Sequence, residues 1–257
     1  MAAKLTNPPS MVSVNHVSMS FNQVEALKDI SFNVAAGTIF GLVGSDGAGK
    51  STLLRLIATM IKPARGEIYV DGFNVVTERR KVKNIIGYMP QRFGLYQDLT
   101  VEENMEFFMD IFNIPRSERK KRKEKYLGFS NLLSFVNRAT GNLSGGMKQK
   151  LGLACVLVHE PKVLILDEPT NGVDPVSRRE FWEILESMKK EGMTVLVSTA
   201  YLDEGELCDE LALMHRAVII TAASPNKMRG DFENLEEAMI ARIQEVDKDI
   251  EHDTFRF

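Results

Sequence analysis

Apolar residues along this chain keep two rhythms. Val12 and Val14, then Val17, Met19 and Phe21, alternate with polar neighbours, the period of a half-buried strand. Gln23 to Leu27 reads as a turn and return, and Ile30, Phe32 and Val34 as the next strand, so residues 11–41 predict antiparallel β structure. Ala36-Gly37 then turns into Ile39–Val43, an unbroken apolar run. Leu53, Leu54, Leu56 and Ile57 continue at helical spacing, predicting a helix to near Ile61, before Pro63. A short strand over Gly66–Val70 ends in the turn Asp71-Gly72, and another closes at Pro90. Thr100-Val101-Glu102-Glu103 has the form of a capping box and opens a helix carrying Met105, Phe107, Phe108, Ile111 and Phe112. Residues 92–158 read as predominantly helical, unlike what flanks them, and predict a helical subdomain inserted into an α/β core.

Two more apolar strands follow, Val163–Leu166 and Thr194–Thr199, separated by a helix over Ser177–Lys190 whose apolar side holds Phe181, Trp182, Ile184, Leu185 and Met188. Leu202–Cys208 reads as helical, and Leu211–Met214 with Val218–Ile220 as a hairpin. A last helix spans Asn234–Val246, and the polar end Asp247–Phe257 is expected to be loose. Strands alternating with helices predict an α/β fold. The expected division is residues 1–225 as one domain and 226–257 as a short helical tail.

Composition narrows the partners. The 257 residues are 44% hydrophobic and 26% charged, with a formal net charge of -3, so nothing global draws the chain to nucleic acid. The one basic stretch, Arg116–Lys125, is interrupted by Glu118 and Glu124 and reads as a solvated helix face. No apolar run approaches the roughly 18–20 residues of a membrane-spanning helix. Met1–Ser10 has no apolar core of a signal peptide. Cys155 and Cys208 lack metal-ligand spacing and read as reduced, buried thiols in a cytoplasmic protein.

Chemistry concentrates at Gly44-Ser45-Asp46-Gly47-Ala48-Gly49-Lys50-Ser51-Thr52. Gly44, Gly49, Lys50 and Ser51 meet the pattern G-x-x-x-x-G-K-[ST] between an apolar strand and a helix, the context the motif requires. Its backbone N–H groups converge on one concavity and the helix start adds further free donors. Lys50 is placed to reach β- and γ-phosphates and the Ser51 hydroxyl to bind Mg²⁺; the pattern implies a nucleoside triphosphate. Val163–Leu166 runs into Asp167 and Glu168. An Asp at a strand's end can hold Mg²⁺, and the neighbouring Glu can orient and polarise an attacking water. Gln91, in the loop after Pro90, carries both a donor and an acceptor suited to a metal-bound water. Phe21, at a strand end, is open to two readings, a purine-stacking platform or a core or edge aromatic. Ser144 caps a helix preceded by a turn with Gly145 and Gly146. As a second phosphate-facing helix start it would serve another subunit's nucleotide; otherwise it is a capped helix behind a flexible turn.

The ordered set resembles the ATP-binding subunit of ABC (ATP-binding cassette) transporters over residues 11–220. The phosphate loop 44–52, Gln91, the signature Leu143–Met147, the strand ending in Asp167, Glu168 and the turn around Asp174 carry that resemblance. It implies a P-loop NTPase (RecA-like) core with an N-terminal antiparallel β subdomain, and Phe21 as the adenine-stacking aromatic. It also implies a head-to-tail dimer, homo- or heteromeric, with ATP and Mg²⁺ held between one phosphate loop and the other protomer's Ser144-Gly145-Gly146. Glu168 would be the catalytic base, with Lys50 and Gln91 in the reaction site and Ser51, Gln91 and Asp167 around the metal. Gln91 would couple the site to a polytopic membrane permease, placing the chain peripherally on the inner face of the cell membrane.

Three positions depart from the family's pattern: Asp46 stands for the usual Asn, Met147 for Gln and Ala200 for the switch His. Met147 and the Ala200-Tyr201 pair, with the stretch Phe232–Gln244, resemble the ABC-2-type exporter group. The alternatives are a soluble ABC-type ATPase of assembly, repair or translation, and a nucleotide-binding regulatory subunit with weak turnover.

Overall fold

The computed structural model describes residues 10–254, with side chains described to residue 247. The strand pair at the start is β1 (Ser10–Phe21) and β2 (Val24–Ala35), followed by β3 (Ile39–Val43) and α1 (Lys50–Ile57). Then come β4 (Arg65–Val70), β5 (Phe73–Asn74), α2 (Arg79–Ile85) and β6 (Ile86–Met89). The helical stretch holds α3 (Val101–Ile111), α4 (Arg116–Phe129) and α5 (Gly145–Leu157). The second half contains β7 (Val163–Asp167), α6 (Pro175–Lys190), β8 (Thr194–Thr199), β9 (Glu210–His215), β10 (Val218–Ala223), α7 (Pro225–Arg229) and α8 (Leu235–Thr254).

Two sheets form. One is antiparallel, in the order β2-β1-β4-β5. The other runs β10-β9-β3-β8-β7-β6 and is parallel apart from β10. The parallel strands have core on both faces, which is why they read as continuous apolar runs. Alternate residues go to opposite sides. Phe40, Leu42, Val163, Ile165 and Leu196 join a core with α1 and the antiparallel sheet. Ile39, Val43, Leu164, Leu166, Val195 and Val197 join a core with α3, α4, α5, α6 and α8.

Several boundaries differ from the expected ones, for local reasons. The return of the first hairpin is tighter than Gln23–Leu27: Phe21 pairs with Val24, and Asn22 takes a left-handed φ of 53°. Alternation along β1 slips between Val14 and Val17, where the register shifts and His16 has φ 50°, the mark of a bulge. α1 stops at Ile57 rather than Ile61 because Thr59, at φ 61°, leaves helical space. α6 begins at Pro175, before the expected Ser177. Pro suits the first helical position, and the Asp174 carboxylate accepts the Ser177 N–H at 2.9 Å. That bond holds the Asp174 carboxyl below its usual range.

α8 runs on to Thr254, past the Val246 expected as its end. Asp247 anchors it, facing His215 Nε2 at 2.8 Å and Arg216 at 3.3 Å. Residues 255–257 and the first nine lie outside the described residues. The capping box is present in both directions: Glu103 N–H donates to Thr100 Oγ1 and Thr100 N–H to the Glu103 carboxylate. The basic run on α4 is neutralised locally, Arg119 by Glu106 and Asp110 and Lys123 by Glu102 and Glu106. Burial raises Glu106, but its two cationic partners outweigh that and hold the carboxyl below its usual range.

Candidate functional site

In the parallel sheet Val43 lies opposite Thr199, and Asp167 opposite Ser198. The carboxyl ends of β3, β8 and β7 therefore meet at one edge, the place where open α/β sheets bind ligands. The phosphate loop leaves β3 there and wraps into α1. Gly49 has φ 105°, and a Cβ on it would lie 2.5 Å from the Ala26 carbonyl; only glycine turns this corner against β2. Ser45, Asp46 and Gly47 are exposed at the tip, while Ala48 and Lys50 are buried.

The Lys50 ammonium is 4% exposed as a residue and fully engaged. It donates to Gly44 O at 2.7 Å and Ser45 O at 3.0 Å and sits 3.2 Å from Glu168 Oε1. A buried cation needs such partners, because unpaired charge in an apolar surround is costly. Gln91 Nε2 donates to Glu168 Oε2 at 2.7 Å, and Asn171 Nδ2 approaches the same oxygen at 3.3 Å. Glu168 itself takes φ 48°, which turns its side chain off the strand direction toward Lys50.

Ser51 Oγ donates to Asp167 Oδ1 at 2.8 Å, across 116 residues of sequence. Ser198 Oγ donates to the same oxygen at 2.9 Å and accepts the Glu168 N–H at 3.0 Å. Asp167 Oδ2 is buried and has no hydrogen-bond partner. That free anionic oxygen beside a serine hydroxyl is an all-oxygen donor set, the kind a hard cation such as Mg²⁺ takes. No group of three or more His, Cys, Asp or Glu gathers among the described residues.

Thus Lys50, Ser51, Gln91, Asp167 and Glu168 come together. Ser144, Gly145 and Gly146 do not join them: none of their hydrogen bonds reaches the phosphate loop. Ser144 Oγ accepts the Met147 N–H at 3.3 Å, and Gly146 is packed so closely that a Cβ would fall 2.4 Å from Ser177. A Cβ on Gly145 would meet nothing within 4 Å. Phe21 is 47% exposed, so the core reading of that ring is excluded. Ala200 is exposed at the end of β8 and offers only a methyl group.

Ser198, Asn171 and Glu204 are participants that sequence reasoning did not single out. For Ser198 a signal was available: two polar residues end an otherwise apolar strand, as Asp167 does in β7. Glu204 carried none, since an acid in Leu202–Cys208 looks like any surface residue, yet it is 2% exposed. Cys155 and Cys208 are both buried and unpaired, and burial raises both thiols.

A family model described as "ABC transporter" matches residues 27–171. Over 221 residues the chain is 43% identical to a protein of Escherichia coli named "Probable multidrug ABC transporter ATP-binding protein YbhF", covering 85% of this chain and 38% of that one. It is 34% identical over 234 residues to the "ABC transporter ATP-binding protein NatA" of Bacillus subtilis, covering 89% of this chain and 92% of NatA. Among solved structures, a dimeric ATP-binding cassette in a post-hydrolysis state bound to ADP and Pi superposes with a TM-score of 0.74. It is 26% identical, over 83% of this chain and 98% of that one.

Proposed function

The chain belongs to the ABC transporter family, and on that premise we propose that it is the ATP-binding and ATP-hydrolysing subunit of a membrane exporter. One observation carries the reading: Lys50, Gln91 and Glu168 are in direct contact beside the Ser51–Asp167 pair. These are the groups that bind, sense and cleave a γ-phosphate, already gathered at the sheet edge.

The loop N–H groups of residues 44–52 receive the phosphates. Lys50 exchanges Gly44 O, Ser45 O and Glu168 for β- and γ-phosphate oxygens. Ser51 and Asp167 would hold Mg²⁺, with Gln91 alongside, and a bound ion would supply neutralisation of the phosphate charge. Glu168, released from Lys50, orients a water and takes its proton as the water oxygen attacks the γ-phosphorus. The bond to the β-bridging oxygen breaks, leaving ADP and phosphate. Phe21, exposed at the end of β1, offers its ring to adenine.

Ser144 and Gly145 are exposed and make no hydrogen bond to the phosphate loop of their own chain, which supports a composite site shared by two cassettes. Closure then follows from contacts that only the bound γ-phosphate supplies. The partners in this reading are a second cassette and a polytopic permease, with no nucleic acid. No helix among the described residues is long and apolar enough to cross a membrane, and the chain sits on the inner face through the permease. Residues 1–225 form the cassette, with 92–158 as its helical insert and 226–257 as a tail. Ala200 in place of a phosphate-contacting side chain favours slow turnover.

The test pairs two measurements. Lys50→Ala is expected to abolish ATP binding and hydrolysis by the purified protein. Co-purification with a polytopic membrane protein is expected for an exporter subunit. An ATPase that never associates with one would instead be a soluble cassette enzyme.

A further inference from the structure

The strongest unexplained polar cluster lies just behind the site. Glu204 follows the end of β8 and is 2% exposed. Its Oε2 accepts the Thr199 hydroxyl at 2.5 Å, and its Oε1 accepts the Thr170 hydroxyl at 2.8 Å. Both threonines are 1% exposed. The nearest cation, Arg178 on α6, holds its Nε 3.7 Å from Oε1, beyond hydrogen-bond reach. The Arg178 guanidinium instead lies over the Tyr201 ring, 4.0 Å from its centroid. A buried carboxylate with so distant a counter-charge depends on its two hydroxyl donors.

What the two donors belong to gives the cluster its meaning. Thr170 is two residues beyond Glu168. Thr199 follows Ser198, which grips both Asp167 Oδ1 and the Glu168 N–H. Thr199 Oγ1 also accepts the Tyr201 N–H at 3.0 Å, fixing the turn that contains Ala200. Glu204 makes no hydrogen bond to Lys50, Ser51, Asp167 or Glu168 themselves. It clasps the two chain segments that carry them.

We propose that Glu204 is a positioning residue for hydrolysis, holding the segment after Glu168 against the end of β8. The proposal rests on the ATPase reading above. With Ala200 unable to hydrogen-bond across this gap, the Thr170–Glu204–Thr199 clasp supplies a second side-chain link between the two segments, beside the one Ser198 makes to Asp167 and Glu168. It acts on the orientation of Glu168 and not on nucleotide affinity, so its loss lowers kcat and leaves KM in place.

The experiment measures steady-state ATPase rates and melting temperatures for wild type, Lys50→Ala, Thr170→Val, Thr199→Val, Glu204→Ala and Glu204→Gln. Valine keeps the shape of threonine and removes one strut, and at position 199 it also removes the acceptor of the Tyr201 N–H, so Thr170→Val is the cleaner of the two. Each valine variant is expected to lose about tenfold or more in kcat with KM for ATP within about twofold. A double variant, Thr170→Val with Thr199→Val, is measured beside them and should fall no further than Glu204→Ala, since both break the same clasp. Glu204→Gln should recover most of the rate, because an amide can still accept from one hydroxyl and donate to the other. If Glu204→Ala does not fold, the valine variants carry the test alone. Rates within twofold of wild type in both valine variants would overturn the proposal, as would a rise in KM matching each fall in kcat. A wild type without Lys50-dependent hydrolysis would instead sink the ATPase reading, and this one with it.

Discussion

Replacing Glu168 by Gln separates the ion pair that this residue makes with Lys50 from the catalytic role proposed for it. Without nucleotide its carboxylate is the counter-ion of Lys50, at 3.2 Å and with side-chain exposures of 7% and 3%. Breaking a buried ion pair from one side costs about 3–5 kcal/mol. Here the cost is reduced, because Lys50 keeps Gly44 O at 2.7 Å and Ser45 O at 3.0 Å, and an amide oxygen can still accept from Gln91. A net loss of about 2 kcal/mol remains, which for a chain of this size is a melting temperature lower by about 4–8 °C. With ATP and Mg²⁺ the sign reverses. The γ-phosphate replaces the lost counter-ion of Lys50, and the carboxylate that would repel it is gone, so the variant gains more from ATP than wild type does. Without its base it also cannot leave the closed state, and an ATP-bound dimer accumulates. Differential scanning fluorimetry with and without ATP reads the first effect, and size-exclusion chromatography the second. A variant that melts with wild type in both conditions, or binds ATP as a monomer, would refute this account of Glu168.

Gly145→Ala and Gly146→Ala should part company. The second drives a Cβ into Ser177 and should cost about 1–3 kcal/mol as overpacking, visible in the melt. The first meets nothing within 4 Å among the described residues, so it should melt like wild type yet weaken the ATP-dependent dimer; an unchanged dimer would count against the composite site. Ala200→His should raise turnover if the missing contact limits it, and an unchanged kcat would mean the site works by another arrangement. His159 is stacked on Phe112 with ring centroids 4.0 Å apart, its Nε2 2.9 Å from the Ile86 carbonyl. Burial lowers its pKa below the usual 6.5. The unfolded chain therefore takes up the proton first, so stability is whole above pH 6.5 and is lost as the pH falls below it. Melts between pH 5 and 8 should show that loss in wild type and less of it in His159→Gln.

Some of this protein was written in short stretches of chain. The phosphate loop is a nine-residue pattern, Ser144 and Thr100 announce helix starts, and β3, β7 and β8 show as apolar runs because both faces of a parallel sheet are covered. Such features depend on neighbours a few residues away, so a sequence displays them. Boundaries were less legible where one backbone angle decides, as at Thr59 and His16. The exposure of Phe21 was not legible at all, since a strand end can face either way.

Tertiary structure alone decided who touches whom. Ser51 and Asp167 are 116 residues apart, Gln91 and Glu168 77, and Thr170 and Glu204 34. They meet because β8 lies between β3 and β7, an order set by how two apolar faces are best buried. No local pattern encodes that order, so the partners of Ser198 and Glu204 came to light only once the strands were side by side. The residues proposed for the chemistry were therefore nameable from the chain, and the partner that holds each of them in place was not.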